Sequence, residues 1–338
     1  MERLLEIRRH LGAEHHVSLY AKTRSLPEDA GIAAVKTPMQ EWAGERFADS
    51  DALIFVGACG IAVRAIAPHV KDKRTDPAVV VMDEKADYCI PILAGHIGGA
   101  NELSGQLAAA LGCVPVYTTA TDVNGRFAVD VFAAKHGLYL SSMRLAKEVS
   151  AALLRGETLG LASDFPVEGK LPEGFVQVSA EETSQMKLGI YFSVSRRLRP
   201  FEETLYLVPR IVTAGIGCRR GASGESIGAV LRMQLDKSAT FSEALAKIAS
   251  IDLKKEEPGI IGLAGELGVP FETYSAEELT AVPGTFTPSE FVKKTTGADN
   301  VCERSAAKGS GGRVYEKKTG ADGATCALAV SDWSVHFE

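Results

Sequence analysis

Two apolar runs stand out in the alternation of hydrophobic and polar positions, ALIFV at 52–56 and AVVVM at 78–82. Both are short, rich in aliphatic and β-branched residues and bounded by Asp, Gly or Pro, so each predicts a buried strand. Tyr88–Leu93 follows the second run closely and predicts its hairpin partner. Gly57 closes the first run, and Gly60 opens a short helix through Ile66. Gly98 and Gly99 lead into a helix that places Leu103, Leu107, Ala110 and Leu111 on one face, and Val114–Tyr117 predicts a further strand. Polar, chemically capable residues recur where these strands end. In an open α/β sheet ligands sit beyond the carboxyl ends of the strands, so the spacing points to a site between Ala52 and Asp130.

The flanking pattern extends the picture. Leu4, Leu5, Ile7 and Leu11 suit an opening helix, and HVSLYAK a short strand. Phe127–Leu138 and Met143–Leu154 are helical by spacing, whereas residues 156–208 hold short strand-like pieces among Pro and Gly. A second α/β unit begins near Pro209, with a strand at Ile211–Ile216 and a helix carrying Ile227, Val230, Leu231 and Leu235. Helices at Ser242–Ser250 and Pro258–Leu267, a strand at Pro270–Tyr274, a capping box at Ser275 and Glu278, and a hairpin of Arg313–Lys317 with Ala324–Val330 complete it. The expected fold is α/β: two α/β domains with mainly parallel sheets flanked by helices, joined by a small middle region. The boundaries are 1–130, 131–208 and 209–338.

Composition narrows the function classes. A net charge of −6 gives no support for nucleic-acid or membrane-surface binding. The six cysteines are scattered without a CxxC pair, which fits reduced thiols in a cytoplasmic protein and shows no zinc signature. The charged N-terminus reads as neither signal nor anchor, and the most apolar window, Ala52–Pro68, is broken by glycines and Arg64, so a soluble protein is expected.

Five segments bear on candidate chemistry. In GHIGGANEL, the N–H groups of Gly98 and Gly99 at a helix start suit a carboxylate or an oxyanion, His96 a general acid or base, and Asn101 and Glu102 the first helical turn. The same motif also reads as a tight turn with a capped helix and a structural histidine. An esterase would need a G-x-S-x-G elbow, and the chain has none. The segment VRAIAPHVKDKRTDP offers Arg64, His69, Lys71, Lys73 and Arg74 to anionic groups, or simply a solvated face, with Asp76 as a turn residue. TTATD places Thr118, Thr119 and Asp122 after a strand, as an oxyanion site with a base or as a helix cap. GIGCRRG has one residue too many for a dinucleotide fingerprint, which excludes NAD but leaves an anion site at Arg219 and Arg220; Cys218 reads as a packed residue. IASIDLKKEEPG, with Lys254, reads mainly as a solvated connector.

These runs carry a resemblance. GACGIAVRAIAPHVKDKRTDPAVVVMDE, IPILAGHIGGANELS and VYTTATDVNGRFAVD closely resemble the N-terminal domain of the cobalt-precorrin 5A hydrolase family of anaerobic cobalamin biosynthesis. TAGIGCRRGAS, IASIDLKKEEPG, YSAEEL and KKTTGADNVCERSAA are similar to its C-terminal domain, so nearly the whole chain is covered. The resemblance implies an enzyme that opens the ring A δ-lactone of a cobalt-bound macrocycle and releases acetaldehyde to give cobalt-precorrin 5B. The cobalt would belong to the substrate, with no cofactor and no metal site on the protein. The acetate and propionate arms of such a substrate suit Arg64, Lys71, Lys73, Arg74, Arg219, Arg220 and Lys254. Further partners left open are a second copy, giving a homodimer, and neighbouring pathway enzymes.

Two departures from the family pattern stand out. The family begins with a strand and a Thr/Gly turn ahead of the first helix, which implies an incomplete sheet edge here. Its Glu-Pro-Ala-Ala segment reads ERSAA, with Arg304 in place of proline, so no catalytic role is expected there. The implied mechanism uses His96, or a carboxylate such as Asp122 or Glu102, to activate water while Gly98 and Gly99 hold the oxyanion. The rivals are a non-catalytic corrinoid carrier and another tetrapyrrole-tailoring activity such as methyl transfer.

Overall fold

The computed structural model describes residues 1–23, 26, 31–72, 75–96, 98–118, 126–181 and 186–337. The chain divides into two compact units, Met1–Val131 and Phe132–Glu338. In the first, α1 (Glu2–Leu11) leads to β1 (Leu19–Ala21), which pairs in parallel with β2 (Ile32–Ala34). Then come α2 (Met39–Asp49), β3 (Ala52–Val56), α3 (Cys59–Ile66), β4 (Ala78–Met82), β5 (Tyr88–Leu93), α4 (Ala100–Leu111) and β6 (Val114–Pro115). The last four strands form one sheet in the order β3-β4-β5-β6, with β3 at its edge. All five residues of β4 are buried, as its unbroken apolar run requires.

The direction of β5 decides where the chemistry lies. β3 and β4 are parallel, but β5 runs antiparallel to β4, with Val79 opposite Leu93. β6 is parallel to β5. The carboxyl ends of β5 and β6 therefore lie at the end of the sheet where β3 and β4 begin. A single crevice beyond all the strand ends, as the spacing suggested, is not what forms. Gly57–Gly60 sits at one end of the sheet, and the GHIGGAN turn at the other.

The second unit holds two five-stranded sheets. After α5 (Val129–Lys135), which crosses the division, come β7 (Tyr139–Leu140), α6 (Met143–Leu154), β8 (Leu159–Ser163), β9 (Val167–Glu168), β10 (Phe175–Gln177), β11 (Leu188–Phe192) and β12 (Glu203–Val208). The order β10-β8-β11-β12-β7 makes the middle region a real sheet, mostly parallel, rather than isolated strand pieces.

Next come β13 (Val212–Cys218), α7 (Gly224–Ser238), β14 (Leu245–Ile251), α8 (Pro258–Leu267), β15 (Phe271–Tyr274), α9 (Ala276–Ala281), α10 (Glu290–Thr296), α11 (Cys302–Ser310), β16 (Arg313–Ala321), β17 (Ala324–Val330) and β18 (Val335–His336). The order is β15-β14-β13-β17-β16, parallel across β13, β14 and β15, and β18 pairs with β9. The capping box at Ser275 and Glu278 forms as expected.

The helix expected at Ser242–Ser250 is instead a 3-10 turn followed by β14. Leu245, Ile248 and Ile251 are three apart and mimic a helical face. Ile248–Ile251 are all buried because β14 is an interior strand, which makes its apolar residues consecutive. The sequence reading also lacked α11, whose backbone lies so close to β13 that a Cβ on Gly215 would stand 1.8 Å from the Cys302 carbonyl oxygen. Among the described residues no helix is long and apolar enough to cross a membrane.

Candidate functional site

The turn between β5 and α4 is built by its backbone. Ala94 holds φ at +53° and Gly99 at +82°, and a Cβ on Gly98 would lie 2.4 Å from that of Ala94. A non-glycine residue in the left-handed region is strained, and such strain concentrates at functional turns. The Gly99 N–H donates to the His96 carbonyl at 2.9 Å, the Ala100 N–H to Ala94 at 3.1 Å and the Asn101 N–H to Gly95 at 2.9 Å. The Gly99 amide is thus committed to the turn, not aimed at a ligand alongside Gly98. His96 is half-buried at its apex, and the Asn101 side chain lies over Gly95. Tyr117 donates its hydroxyl to the Asn101 carbonyl at 3.2 Å, which ties the segment after β6 to the start of α4 and brings the exposed Thr118 to the same sheet end. Gly98, Gly99 and the exposed Glu102 line a cavity of about 680 Å³ whose other walls include α1, β1 and the edge strand β3. Thr119 and Asp122 lie outside the described residues, as do Lys73 and Arg74.

The basic segment before β4 enters from this same end. Its exposed Lys71 gives its backbone N–H to both carboxylate oxygens of the buried Asp76, at 3.2 and 2.9 Å, so Asp76 closes the loop as a turn residue does. His69 is structural, with Nε2 2.9 Å from the Gln40 carbonyl and its ring packed over Gly44. Arg64 is exposed on α3 and folds back toward Gly60, as helical side chains lean toward the N-terminus, and that places it toward the opposite end of the sheet.

In the second unit the Cys218–Gly221 turn leaves the carboxyl end of β13. Arg219 and Arg220 are exposed and form no salt bridge among the described residues. The Arg219 N–H donates to the Gly323 carbonyl at 2.9 Å, and the guanidinium crosses the hairpin turn there: a Cβ on Gly323 would fall 2.0 Å from Nε. The next loop, at the carboxyl end of β14, presents Leu253 at 64% exposure beside Lys254. Lys254 Nζ reaches Glu257 at 2.9 Å, and the Glu257 carboxylate also accepts the Gly221 N–H at 2.7 Å. The Lys254 hydrogen bond, more than any other influence, holds the Glu257 carboxyl below its usual range. Burial pushes the Cys218 thiol up, partly countered by Lys254, and a thiol kept protonated is no nucleophile. Sequence reasoning missed Glu257, taking its segment for a solvated connector; the one available signal was an acid immediately before Pro258 at a helix start.

Comparison with known proteins covers most of the chain. Family models described as Cobalamin synthesis G N-terminal, Cobalamin biosynthesis central region and Cobalamin synthesis G C-terminus match residues 41–122, 127–209 and 212–329. The chain is 38% identical to the cobalt-precorrin-5A hydrolase of Salmonella typhimurium, over 90% of this chain and 87% of that protein. The chain belongs to the cobalamin synthesis G family. The cobalt-precorrin-5A hydrolase of Priestia megaterium is 34% identical over 79% of this chain and 76% of its own length. The solved structure of CobE, a protein from the cobalamin biosynthetic pathway, is 35% identical, covering 36% of this chain and 91% of that one with a TM-score of 0.34.

In the ERSAA segment the first two residues, Glu303 and Arg304, are structural. Glu303 is fully buried and accepts N–H groups from Thr287 at 2.9 Å and Lys318 at 3.0 Å, which pins the loop before α10 to β16. Arg304 pairs with Asp299 and donates to the carbonyls of Leu279, Thr280 and Val282, capping the C-terminus of α9, with its guanidinium 4.6 Å from the centre of the Phe286 ring.

Proposed function

We propose that the chain is a cobalt-precorrin 5A hydrolase, opening the ring A δ-lactone and releasing acetaldehyde to give cobalt-precorrin 5B. The observation that carries this is the 38% identity, across nearly the whole of both chains, to a protein bearing that name. In the proposed mechanism, water activated by His96, or by Asp122 or Glu102, adds to the lactone carbonyl. The Gly98 N–H takes the oxyanion, since the Gly99 amide serves the turn. The ring opens to a hydroxyethyl group. A base then removes the hydroxyl proton, the carbon–carbon bond breaks, acetaldehyde leaves, and the electron pair passes into the conjugated macrocycle, which takes up a proton.

The acidic arms of the substrate pair with Lys71, Lys73, Arg74, Arg219, Arg220 and Lys254, with Asn101, Thr118 and Thr119 as further polar contacts, whereas Arg64, toward the opposite end of the β3–β6 sheet, stays outside the site. Cobalt enters with the substrate, no cofactor is needed, and the reaction takes place in the cytoplasm. The test is an anaerobic incubation of the protein with cobalt-precorrin 5A, trapping volatile aldehyde and weighing the macrocycle. Acetaldehyde with the matching change in mass supports the hydrolase. A bound, unchanged macrocycle overturns it in favour of a carrier.

A further inference from the structure

Only a few acidic side chains are buried among the described residues, and Glu257, at 6% exposure, is one of them. Burying a carboxylate is costly unless it is paired and hydrogen-bonded, and the partners of Glu257 belong to two different loops. One oxygen accepts the N–H of Gly221, which closes the arginine turn after β13 with φ +74°. The other holds the ammonium of Lys254, in the loop after β14. The start of α8 presses on the same turn, where a Cβ on Gly259 would stand 2.3 Å from the Ala222 carbonyl oxygen. The Arg219–Gly323 backbone bond clamps the turn from the opposite side. The result is a turn fixed at several points that carries the exposed Arg219 and Arg220, while the Lys254 ammonium is held on Glu257 and the exposed, apolar Leu253 precedes it in the chain.

We infer that Glu257 is a positioning residue for polycarboxylate capture: it sets the arginine turn and Lys254 in the arrangement that receives the acidic arms of a flat, apolar macrocycle. This rests on the function proposed above and names the second-unit surface that binds its substrate. Glu257 does not touch the substrate. It acts through Arg219, Arg220 and Lys254, and its own charge neutralises one of those three cations, so a net positive site remains for the arms.

Steady-state kinetics of Glu257→Ala, Glu257→Gln, Arg220→Ala and the Glu257→Ala/Arg220→Ala double variant test this. Glu257→Ala is expected to raise KM about ten-fold or more with kcat within about two-fold of wild type. Glu257→Gln, whose amide oxygen still accepts the Gly221 N–H, is expected to recover part of that loss. The double variant is expected to be little worse than Glu257→Ala alone, because the alanine has already released the turn. An unchanged KM in Glu257→Gln and Glu257→Ala, or fully additive losses in the double variant, overturns the inference. If Glu257→Ala does not fold, Glu257→Gln decides by itself through KM. If wild type releases no acetaldehyde, the hydrolase reading fails on its own. Titration of cobalt-precorrin 5A by its absorbance then tests Glu257 separately, and equal affinity in wild type and variants overturns the positioning role.

Discussion

Arg304 and Asp299 form a 2.7 Å ion pair, and the same guanidinium reaches three carbonyls at the end of α9. Arg304→Ala is therefore expected to cost about 1.5–3 kcal/mol, the worth of a hydrogen bond to a charged group, and to lower the melting temperature. Turnover per folded molecule should hold. Arg304→Lys keeps the charge but cannot fork between Asp299 and the carbonyls, so it should recover less than half of the loss. A melting curve identical to wild type would refute the capping role.

Glu303 provides an acid-sensitive contact. Burial is the largest single influence on it and pushes its pKa up, but hydrogen bonds from Lys318 and Thr287, together with the Lys318 charge, prevail and hold it below the ordinary glutamate range. A carboxylate with a lowered folded pKa favours the folded state above its unfolded pKa, and that contribution is lost as pH falls through the folded value. Melting temperature measured from about pH 6 down to about pH 3 should fall more steeply for wild type than for Glu303→Gln, which should already be less stable at neutral pH. Parallel pH profiles would contradict the assignment.

The proposed chemistry depends on groups at the β5–α4 turn and on Asp122. Alanine at His96 or at Asp122 is expected to lower kcat by about 10²–10⁴ where that residue is the acid or base. Wild-type turnover in both of these variants and in Glu102→Ala would sink the mechanism while leaving the reaction itself intact.

Two glycines should respond in opposite ways. Gly215→Ala drives a methyl into the Cys302 carbonyl at the seam between α11 and β13, and is expected to cost about 3 kcal/mol or more, or to abolish soluble protein. Gly262, exposed on α8, has nothing within 4 Å of an added Cβ, so Gly262→Ala should stabilise by about 0.5–1 kcal/mol. Thermal melting of the two variants side by side reads out both.

Elements with strong local signals were legible in the sequence. The runs at 52–56 and 78–82, the hairpin to Leu93 and the helix Met143–Leu154 all form where the pattern places them. β14 was lost to a coincidence of spacing, because an interior strand buries consecutive residues and then reads equally well as a helix. The site was harder to see. Nothing local tells that β5 reverses the sheet and parts Gly57–Gly60 from the GHIGGAN turn. Glu257 and Glu303 sit in charged or unremarkable segments, and only tertiary contact shows them buried and pinning separate loops. Arg304 finds its carbonyl partners 22 to 25 positions upstream, beyond the reach of any helical or strand period.

The place of β13 has a consequence for biosynthesis. It pairs in parallel with β14 but draws its other ladder from β17, Val212 against Val330 through to Cys218 against Ala324, and Thr325 bonds the Gly217 carbonyl across 108 positions. On the ribosome, the central strand of this sheet therefore waits with one edge unpaired until residues 324–330 emerge. Through that interval the nascent sheet is open to mispairing, and a message cut short before Ala324 would yield a chain carrying its hydrophobic centre as an adhesive edge.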